Sequence, residues 1–176
     1  LFPYTTLFRS EGVFDKRYLE KIITRRILFV CSGNTCRSPM AERLARVELA
    51  RRLGTDPDRL AGHGWVISSA GAYALAGGEM TPEARQALEQ LDVPSPPHRA
   101  RALSAETVNQ AERVFCMTES HRQAVLAVAP DASAKTQRLD PAGDVDDPIG
   151  AGVADYVETA KQIQQAIGQR LDEMDL

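Results

Sequence analysis

The chain has 176 residues, of which 43% are hydrophobic and 26% are charged, and its formal net charge is −3. This composition is typical of a soluble globular protein with one domain of ordinary size. The charge gives no global case for binding nucleic acid or an anionic membrane. No apolar run approaches the roughly 18–20 residues that span a bilayer. The three cysteines do not suit a secreted disulfide framework, and they indicate a reducing cytoplasm.

The N-terminal residues are treated separately from the rest. Residues 1–10 read LFPYTTLFRS, which lacks the regions of a signal peptide and resembles the in-frame translation of a sequencing adapter. We expect them to be an artefact. Residues 11–24 are predicted to be a linker, a disordered extension or the remnant of an upstream domain, since they resemble the tail of a threonylcarbamoyl-AMP synthase domain. The folded domain is therefore expected over residues 25–176, with a possible fused domain before it in the intact gene.

From residue 26, short apolar runs alternate with longer helix-like segments, which is typical of βα units and a parallel sheet. Residues 27–30 are a continuous apolar run and predict a buried strand. Pro39 suits the first turn of a helix, which is predicted over residues 40–53. Residues 54–64 are predicted to be a polar connection and residues 65–71 a second strand. Thr81 and Pro82 predict the start of a helix that reaches residue 91.

The same alternation continues in the second half of the chain. Residues 92–101 are rich in proline and predict a loop. A short helix is predicted over residues 104–107, a third strand over 113–117, a helix over 119–128 and a fourth strand near 135–138. Residues 140–152 combine proline, glycine and aspartate and predict a loop, and residues 154–175 predict a long amphipathic helix.

The segment after the first strand has the strongest chemical signal. Residues 31–40 read CSGNTCRSPM and lie at the end of the strand where ligands meet helix N-termini in open α/β sheets. We expect Gly33 to let the backbone curl so that successive N–H groups bind an oxyanion. Arg37 would bind two phosphate oxygens, and Cys31 would direct its sulfur at phosphorus. The same groups favour the thiolate, so one loop would bind phosphate and activate its attacker.

A cysteine followed six positions later by an arginine is by itself a weak signal. The ordinary alternative is a buried structural cysteine beside a surface arginine. The complete string between an apolar strand and a helix is much more specific. A nucleotide-binding Walker loop is excluded, because the chain has no G-x-x-x-x-G-K-[ST] sequence.

With this string, the chain from about residue 26 to its end resembles the low-molecular-weight protein-tyrosine-phosphatase family. The resemblance implies a three-layer α/β/α fold with a small four-stranded parallel sheet and helices on both faces, without a metal or another cofactor. It implies hydrolysis of phosphoprotein side chains through a phosphocysteine formed on Cys31, with Arg37 as phosphate ligand. It also implies a catalytic Asp-Pro in a late loop, which corresponds to Asp147 and Pro148. The carboxyl group would protonate the leaving group and then activate water; Asp146 is the neighbouring alternative.

The resemblance extends to residues around these catalytic candidates. Substrate contacts are expected from the loop and from one later residue, namely Ser32, Gly33, Asn34, Thr35, Cys36, Ser38 and Ile149. Within that set, Ser38 would donate to the Cys31 thiolate, and Cys36 is close enough to form an oxidative disulfide with it. Ser69 and His98 match positions that support the loop. His63 and His121 have only ordinary interpretations, and Cys116 is expected to pack in the core on a strand. The histidines and cysteines show no zinc-ligand spacing.

Two substrates and two other functions follow from these residues. Thr35 matches the protein arginine phosphatases of the family and favours phosphoarginine, whereas Ile149 departs from both branches, which leaves phosphotyrosine as the alternative. Thioredoxin-coupled arsenate reduction is less favoured, because the helix after Cys116 has no further cysteine to resolve a disulfide. A phosphate-binding module without catalysis would lack Cys31, Arg37 or Asp147, and all three are present. The expected partner is a phosphorylated protein, with no nucleic acid and no membrane.

Overall fold

A computed structural model describes residues 24–176 of the chain. The two predicted N-terminal segments, 1–10 and 11–24, lie outside the described residues except for Thr24. The described part contains one sheet with the strand order β2-β1-β3-β4, and every neighbouring pair is parallel. Its strands are β1 (Arg25–Cys31), β2 (Trp65–Gly71), β3 (Arg113–Cys116) and β4 (Thr136–Arg138). The predicted four-stranded parallel sheet is confirmed.

Within residues 24–176, five α-helices connect or follow these strands: α1 (Arg37–Leu53), α2 (Pro82–Gln90), α3 (Ala105–Gln110), α4 (Glu119–Val128) and α5 (Val153–Asp172). Helix α1 begins two residues before Pro39, so this proline lies in the first turn of the helix. A proline is tolerated there, because it removes no hydrogen bond that the helix would make. Residues 54–64, which were predicted to be a polar connection, contain a 3-10 helix, Pro57–His63. A second 3-10 helix, Pro130–Lys135, precedes β4.

Strand β1 lies at the centre of the molecule and separates two apolar clusters. Ile27, Phe29 and Cys31 face a cluster built with α1, α2 and α5. Leu28 and Val30 face the opposite cluster, built with α3 and α4. Because successive side chains of a strand point to opposite faces, a run that is apolar at every position requires cover on both sides. The helices supply that cover, and the predicted three-layer α/β/α arrangement is confirmed.

The strand order also determines where the sheet can bind a ligand. From β1 the chain crosses to β2 on one side and later returns to β3 on the other side. The carboxyl end of β1 is therefore a topological switch point, where the connections that leave neighbouring strands diverge and open a crevice. Cys31 is the last residue of β1, and residues 32–36 connect it to α1.

Candidate active site

The connection over residues 32–36 ends at a helix whose N-terminus has no side-chain cap. In α2, α3 and α4, the hydroxyls of Thr81, Ser104 and Thr118 accept a backbone N–H of the first turn. Helix α1 has no such bond, and its first turn has no acidic residue. The backbone N–H groups of residues 33–36 donate to no acceptor within residues 24–176. Unpartnered N–H groups at a helix N-terminus are a site for an anion.

Asn34 holds the curled backbone of this loop. Its φ of 54° lies in the left-handed region, and the residue is completely buried. The side-chain Oδ1 accepts the backbone N–H of Arg101 at 2.8 Å, and Nδ2 donates to Ser38 and Ser69, both at 2.9 Å. Gly33 was expected to let the backbone curl; the left-handed conformation lies at Asn34, and Gly33 has no positive φ. Asparagine tolerates this region better than other non-glycine residues, and its three side-chain bonds hold it there.

A directed chain of hydrogen bonds leads from a buried carboxylate to Cys31. Glu42, in α1, accepts the Ser69 hydroxyl proton at 2.6 Å. The Ser69 oxygen therefore accepts from Asn34, whose second amide proton goes to the Ser38 oxygen. The single proton of Ser38 then remains for the Cys31 sulfur at 3.0 Å or for the Ala70 carbonyl at 3.3 Å. A thiolate at Cys31 accepts this hydrogen bond in preference to the Ala70 carbonyl, because hydrogen bonds to charged acceptors are stronger than those to neutral ones.

Two further contacts support the loop from the neighbouring strand and the proline-rich segment. A ring N–H of His98, on Nε2, donates to the Asn34 carbonyl at 2.7 Å, and His98 is buried. Gly71, the last residue of β2, lies so close to the loop that an added Cβ would stand 2.6 Å from the Ser32 carbonyl oxygen and 2.8 Å from the Asn34 nitrogen. No side chain fits there. Ser69 and His98 were predicted to support the loop from the sequence, whereas Glu42 and Gly71 were not.

Arg37 joins the loop to the late acidic segment. Its guanidinium donates to the Val145 carbonyl at 3.0 Å and to the Asp147 carboxylate at 2.9 Å. The Arg37 side chain is 5% exposed and the Asp147 side chain 46% exposed, so the arginine lies beneath the surface and the carboxylate at the mouth. The other carboxylate oxygen, Asp147 Oδ1, accepts the Ile149 N–H at 3.2 Å. The structure therefore brings Asp147, and not Asp146, to the arginine of the loop.

The two residues that were predicted to set the substrate preference lie on the rim of this site. Thr35 is half-buried; a Cβ built on Gly33 would lie 3.5 Å from its hydroxyl oxygen, and one built on Gly78 would lie 3.4 Å from its methyl carbon. The hydroxyl thus lies on the side of the loop and the methyl on the side of Gly78. Ile149 is 62% exposed and follows the Asp-Pro turn.

The other two cysteines are thiols at neutral pH. Cys36 is buried, and burial together with Cys31 and Asp147 raises the pKa of Cys36 to about 12. Burial likewise raises the pKa of Cys116 to about 12. Cys116 packs in the cluster with Val30, on the opposite face of the sheet from Cys31. A direct exchange between Cys31 and Cys116 would require the strands to rearrange.

One histidine near the loop received only an ordinary interpretation from the sequence, and the structure places it in the site. His121 Nε2 lies 2.8 Å from the Ser32 hydroxyl, and Nδ1 lies 3.0 Å from the Thr118 hydroxyl. Its ring is buried. Its position in the sequence could have indicated this, because His121 lies in the first turn of a helix that follows β3, at the same edge of the sheet as Cys31. His63, in contrast, is exposed.

Within residues 24–176, no group of three or more histidine, cysteine or acidic side chains is arranged to hold a metal ion. Over the same part of the chain, no helix combines the length and apolar character needed to cross a bilayer.

Comparison with known proteins gives a consistent family. Residues 26–175 match the family model described as low molecular weight phosphotyrosine protein phosphatase. The chain is 32% identical over 148 residues to a protein-arginine-phosphatase of Bacillus subtilis, covering 81% of this chain and 92% of that relative. It is 30% identical over 154 residues to a protein-arginine-phosphatase of Geobacillus stearothermophilus, covering 85% and 95%. The crystal structure of a low molecular weight protein tyrosine phosphatase from T. tengcongensis superposes with a TM-score of 0.75 at 31% identity, covering 85% and 99%.

Proposed function

Because the chain belongs to the low molecular weight phosphotyrosine protein phosphatase family, we propose that it hydrolyses phosphorylated protein side chains through a phosphocysteine, with phosphoarginine as the preferred substrate. The observation that carries the proposal is the loop over residues 31–37. There the unpartnered N–H groups of residues 33–36 and the Arg37 guanidinium would bind the phosphate oxygens, and Cys31 ends the strand that leads into the loop. Asp147 lies across this site, on Arg37.

In the first step, the Cys31 sulfur attacks phosphorus opposite the leaving group. A sulfur–phosphorus bond forms while the bond from phosphorus to the oxygen or nitrogen of the substrate breaks. The leaving group takes a proton from the Asp147 carboxyl, so it departs as a neutral alcohol or guanidine. The loop N–H groups and Arg37 stabilise the charge on the three equatorial oxygens.

In the second step, the Asp147 carboxylate accepts a proton from water, and the water oxygen attacks the phosphocysteine. An oxygen–phosphorus bond forms, the sulfur–phosphorus bond breaks, and inorganic phosphate leaves. Cys31 departs as a thiolate, which the Ser38 proton stabilises over 3.0 Å. The chain of bonds from Glu42 through Ser69 and Asn34 supports this role, because it leaves the Ser38 proton free to point at sulfur.

Thr35 supports phosphoarginine as the substrate. Its hydroxyl lies beside Gly33 at the mouth of the loop, where a polar group would meet the nitrogen that bridges phosphorus and the guanidinium. A bulky aliphatic side chain at this position would instead pack against an aromatic ring. The two relatives named protein-arginine-phosphatases agree with this assignment.

Phosphotyrosine is the second candidate, and exposed apolar side chains favour it. Leu75 is 87% exposed and Tyr73 is 71% exposed, and the Tyr73 backbone donates to the Ser32 carbonyl at 2.9 Å. With Ile149 these residues offer apolar contacts near the loop for an aromatic ring. Arsenate reduction has no such support, because Cys116 lies on the opposite face of the sheet from Cys31.

The test compares turnover of matched phosphoarginine and phosphotyrosine peptides. We expect kcat/KM to favour phosphoarginine by about tenfold or more, which is the discrimination that one pocket contact supplies. Thr35→Ile should shift the ratio toward phosphotyrosine, whereas Thr55→Ile, a half-buried threonine outside the site, should not. Cys31→Ser should abolish turnover of both. Equal turnover by Cys31→Ser contradicts the mechanism, and an unchanged ratio in Thr35→Ile contradicts the assigned preference.

The predicted partner and location remain proposals of the same kind. We propose a phosphorylated protein as partner and the cytoplasm as location, with no metal or other cofactor required. The possible fused domain upstream and the disulfide between Cys31 and Cys36 also stay predictions. Activity in the presence of a chelator and mass spectrometry of the peroxide-treated protein test the absence of a metal and the disulfide, respectively.

A further inference from the structure

A turn over residues 117–121, which joins β3 to α4 and includes the first residues of that helix, touches both segments of the candidate active site. On one side, the His121 ring lies 2.8 Å from the hydroxyl of Ser32, the residue that follows Cys31. His121 is 4% exposed. Its other ring nitrogen lies 3.0 Å from the Thr118 hydroxyl. Both nitrogens of the ring thus have partners, one in the loop and one in the turn itself.

On its other side, the same turn holds the acidic segment. The Met117 carbonyl accepts the Val145 N–H at 2.7 Å, and the Glu119 N–H donates to the Asp144 carboxylate at 2.9 Å. The Val145 carbonyl in turn accepts from Arg37 at 3.0 Å. The segment that carries Asp147 is therefore attached to this turn by its backbone and by one carboxylate.

We propose that His121 is a positioning residue for the reaction: by holding the Ser32 hydroxyl, it keeps the start of the phosphate-binding loop in register with the turn that carries the Asp147 segment. In the proposed mechanism, the sulfur of Cys31 and the carboxyl of Asp147 must act on the same phosphoryl group from opposite sides. Misplacement of either group slows the reaction strongly. His121 acts through Ser32 and does not contact the reacting atoms. The proposal rests on the phosphatase function proposed above.

The neutral form of the ring suits this role. Burial and the positive charge of Arg37 lower the pKa of His121 to about 4, so the imidazole is uncharged near neutral pH. A neutral imidazole has one donor and one acceptor nitrogen. Ser32 and Thr118 each have a hydroxyl that can serve either nitrogen, so both tautomers are satisfied. Removal of the ring would leave the Ser32 hydroxyl without this partner beside the loop.

The experiment compares His121→Ala, His121→Gln, Ser32→Ala and the His121→Ala/Ser32→Ala double variant with the wild type. His63→Ala is the matched control, because His63 is exposed and outside the site. The readouts are kcat and KM for p-nitrophenyl phosphate, the Kd for inorganic phosphate and the melting temperature. Inorganic phosphate probes the loop directly and requires no turnover.

We expect His121→Ala to lower kcat/KM and weaken phosphate binding, each by about 3- to 10-fold, which corresponds to the loss of one hydrogen bond. His121→Gln should restore much of both, because its amide reaches the Ser32 hydroxyl. The double variant should be no worse than His121→Ala. If the two single losses multiply in the double variant, or if His121→Ala matches His63→Ala in every readout, the proposal is overturned.

These outcomes separate this inference from the proposed function. If the wild type hydrolyses no phosphorylated substrate, the proposed function fails, while weaker phosphate binding by His121→Ala still supports a role in positioning the loop. If the wild type is active and His121→Ala keeps wild-type kinetics and phosphate affinity, the positioning role alone fails. Should His121→Ala melt below the assay temperature, His121→Gln and Ser32→Ala decide by the same readouts.

Discussion

Arg37 and Asp147, which lie 110 positions apart in the chain, form an ion pair with 2.9 Å between Nη2 and Oδ2. The arginine is buried and the aspartate is half-exposed, so the pair spans the site from its floor to its mouth. In the proposed mechanism, a phosphate group that enters the loop would compete with Asp147 for the guanidinium. Substrate binding would therefore weaken the hold of Arg37 on the carboxyl group and leave it available for proton transfer.

The first prediction concerns the shape of the Arg37 side chain. Arg37→Lys keeps the charge but removes the planar fork that binds two oxygens at once. We expect kcat/KM to fall by about 10²–10³-fold, the effect of losing a donor to transition-state charge. Steady-state kinetics on a phosphorylated peptide provide the measurement. Arg99→Lys, an exposed arginine paired with Glu79, is the control, and a loss of less than threefold in Arg37→Lys would contradict the assigned role.

The second prediction separates Asp147 from its neighbour. Asp147→Asn removes the proposed proton donor and should lower kcat by about 10²–10⁴-fold, most strongly for substrates with basic leaving groups. Asp146 is exposed, so Asp146→Asn should keep kcat within about twofold of the wild type. The measurement is kcat for aryl phosphates of graded leaving-group pKa. Similar losses in both variants would show that the acid has been assigned to the wrong residue.

The third prediction concerns the close approach of Gly71 to the loop. Gly71→Ala puts a methyl group 2.6 Å from the Ser32 carbonyl, so the loop or β2 has to move. We expect a loss of about 1–3 kcal/mol in the free energy of unfolding together with weaker phosphate binding. Gly62→Ala is the control, because nothing lies within 4 Å of its added Cβ. Denaturant unfolding and phosphate titration check both effects, and wild-type behaviour of Gly71→Ala would refute the steric argument.

The fourth prediction uses the pKa of His121. In the folded protein this pKa is lowered to about 4, whereas an unfolded chain has the ordinary histidine value of roughly 6.5. Between these values the unfolded state binds more protons, so the free energy of unfolding falls as pH falls from about 6.5 to about 4. His121→Gln should make this part of the stability curve shallower. Urea unfolding at a series of pH values measures it, with His63→Gln as control; identical slopes for wild type and His121→Gln would contradict the prediction.

Much of the fold and the first half of the site could be predicted from short stretches of sequence. The apolar run of β1, the small residues after it and Pro39 are neighbours in the chain, so their local conformation follows from their own order. Cys31 and Arg37 are held by one strand–loop–helix unit for the same reason. Asp147 was predicted only because its Asp-Pro matches a family pattern, since no local rule brings it to Arg37.

The sequence by itself thus determined the strand, loop and helix that carry Cys31 and Arg37, while the tertiary structure decided what surrounds them. His121 meets Ser32 across 89 positions and Glu42 meets Ser69 across 27. These contacts exist because β1 pairs with β2 on one side and β3 on the other, which brings the residues after three strands to one edge of the sheet. A histidine in the first turn of a helix has the same local pattern wherever that helix lies, so only the strand order shows that His121 meets the loop after β1.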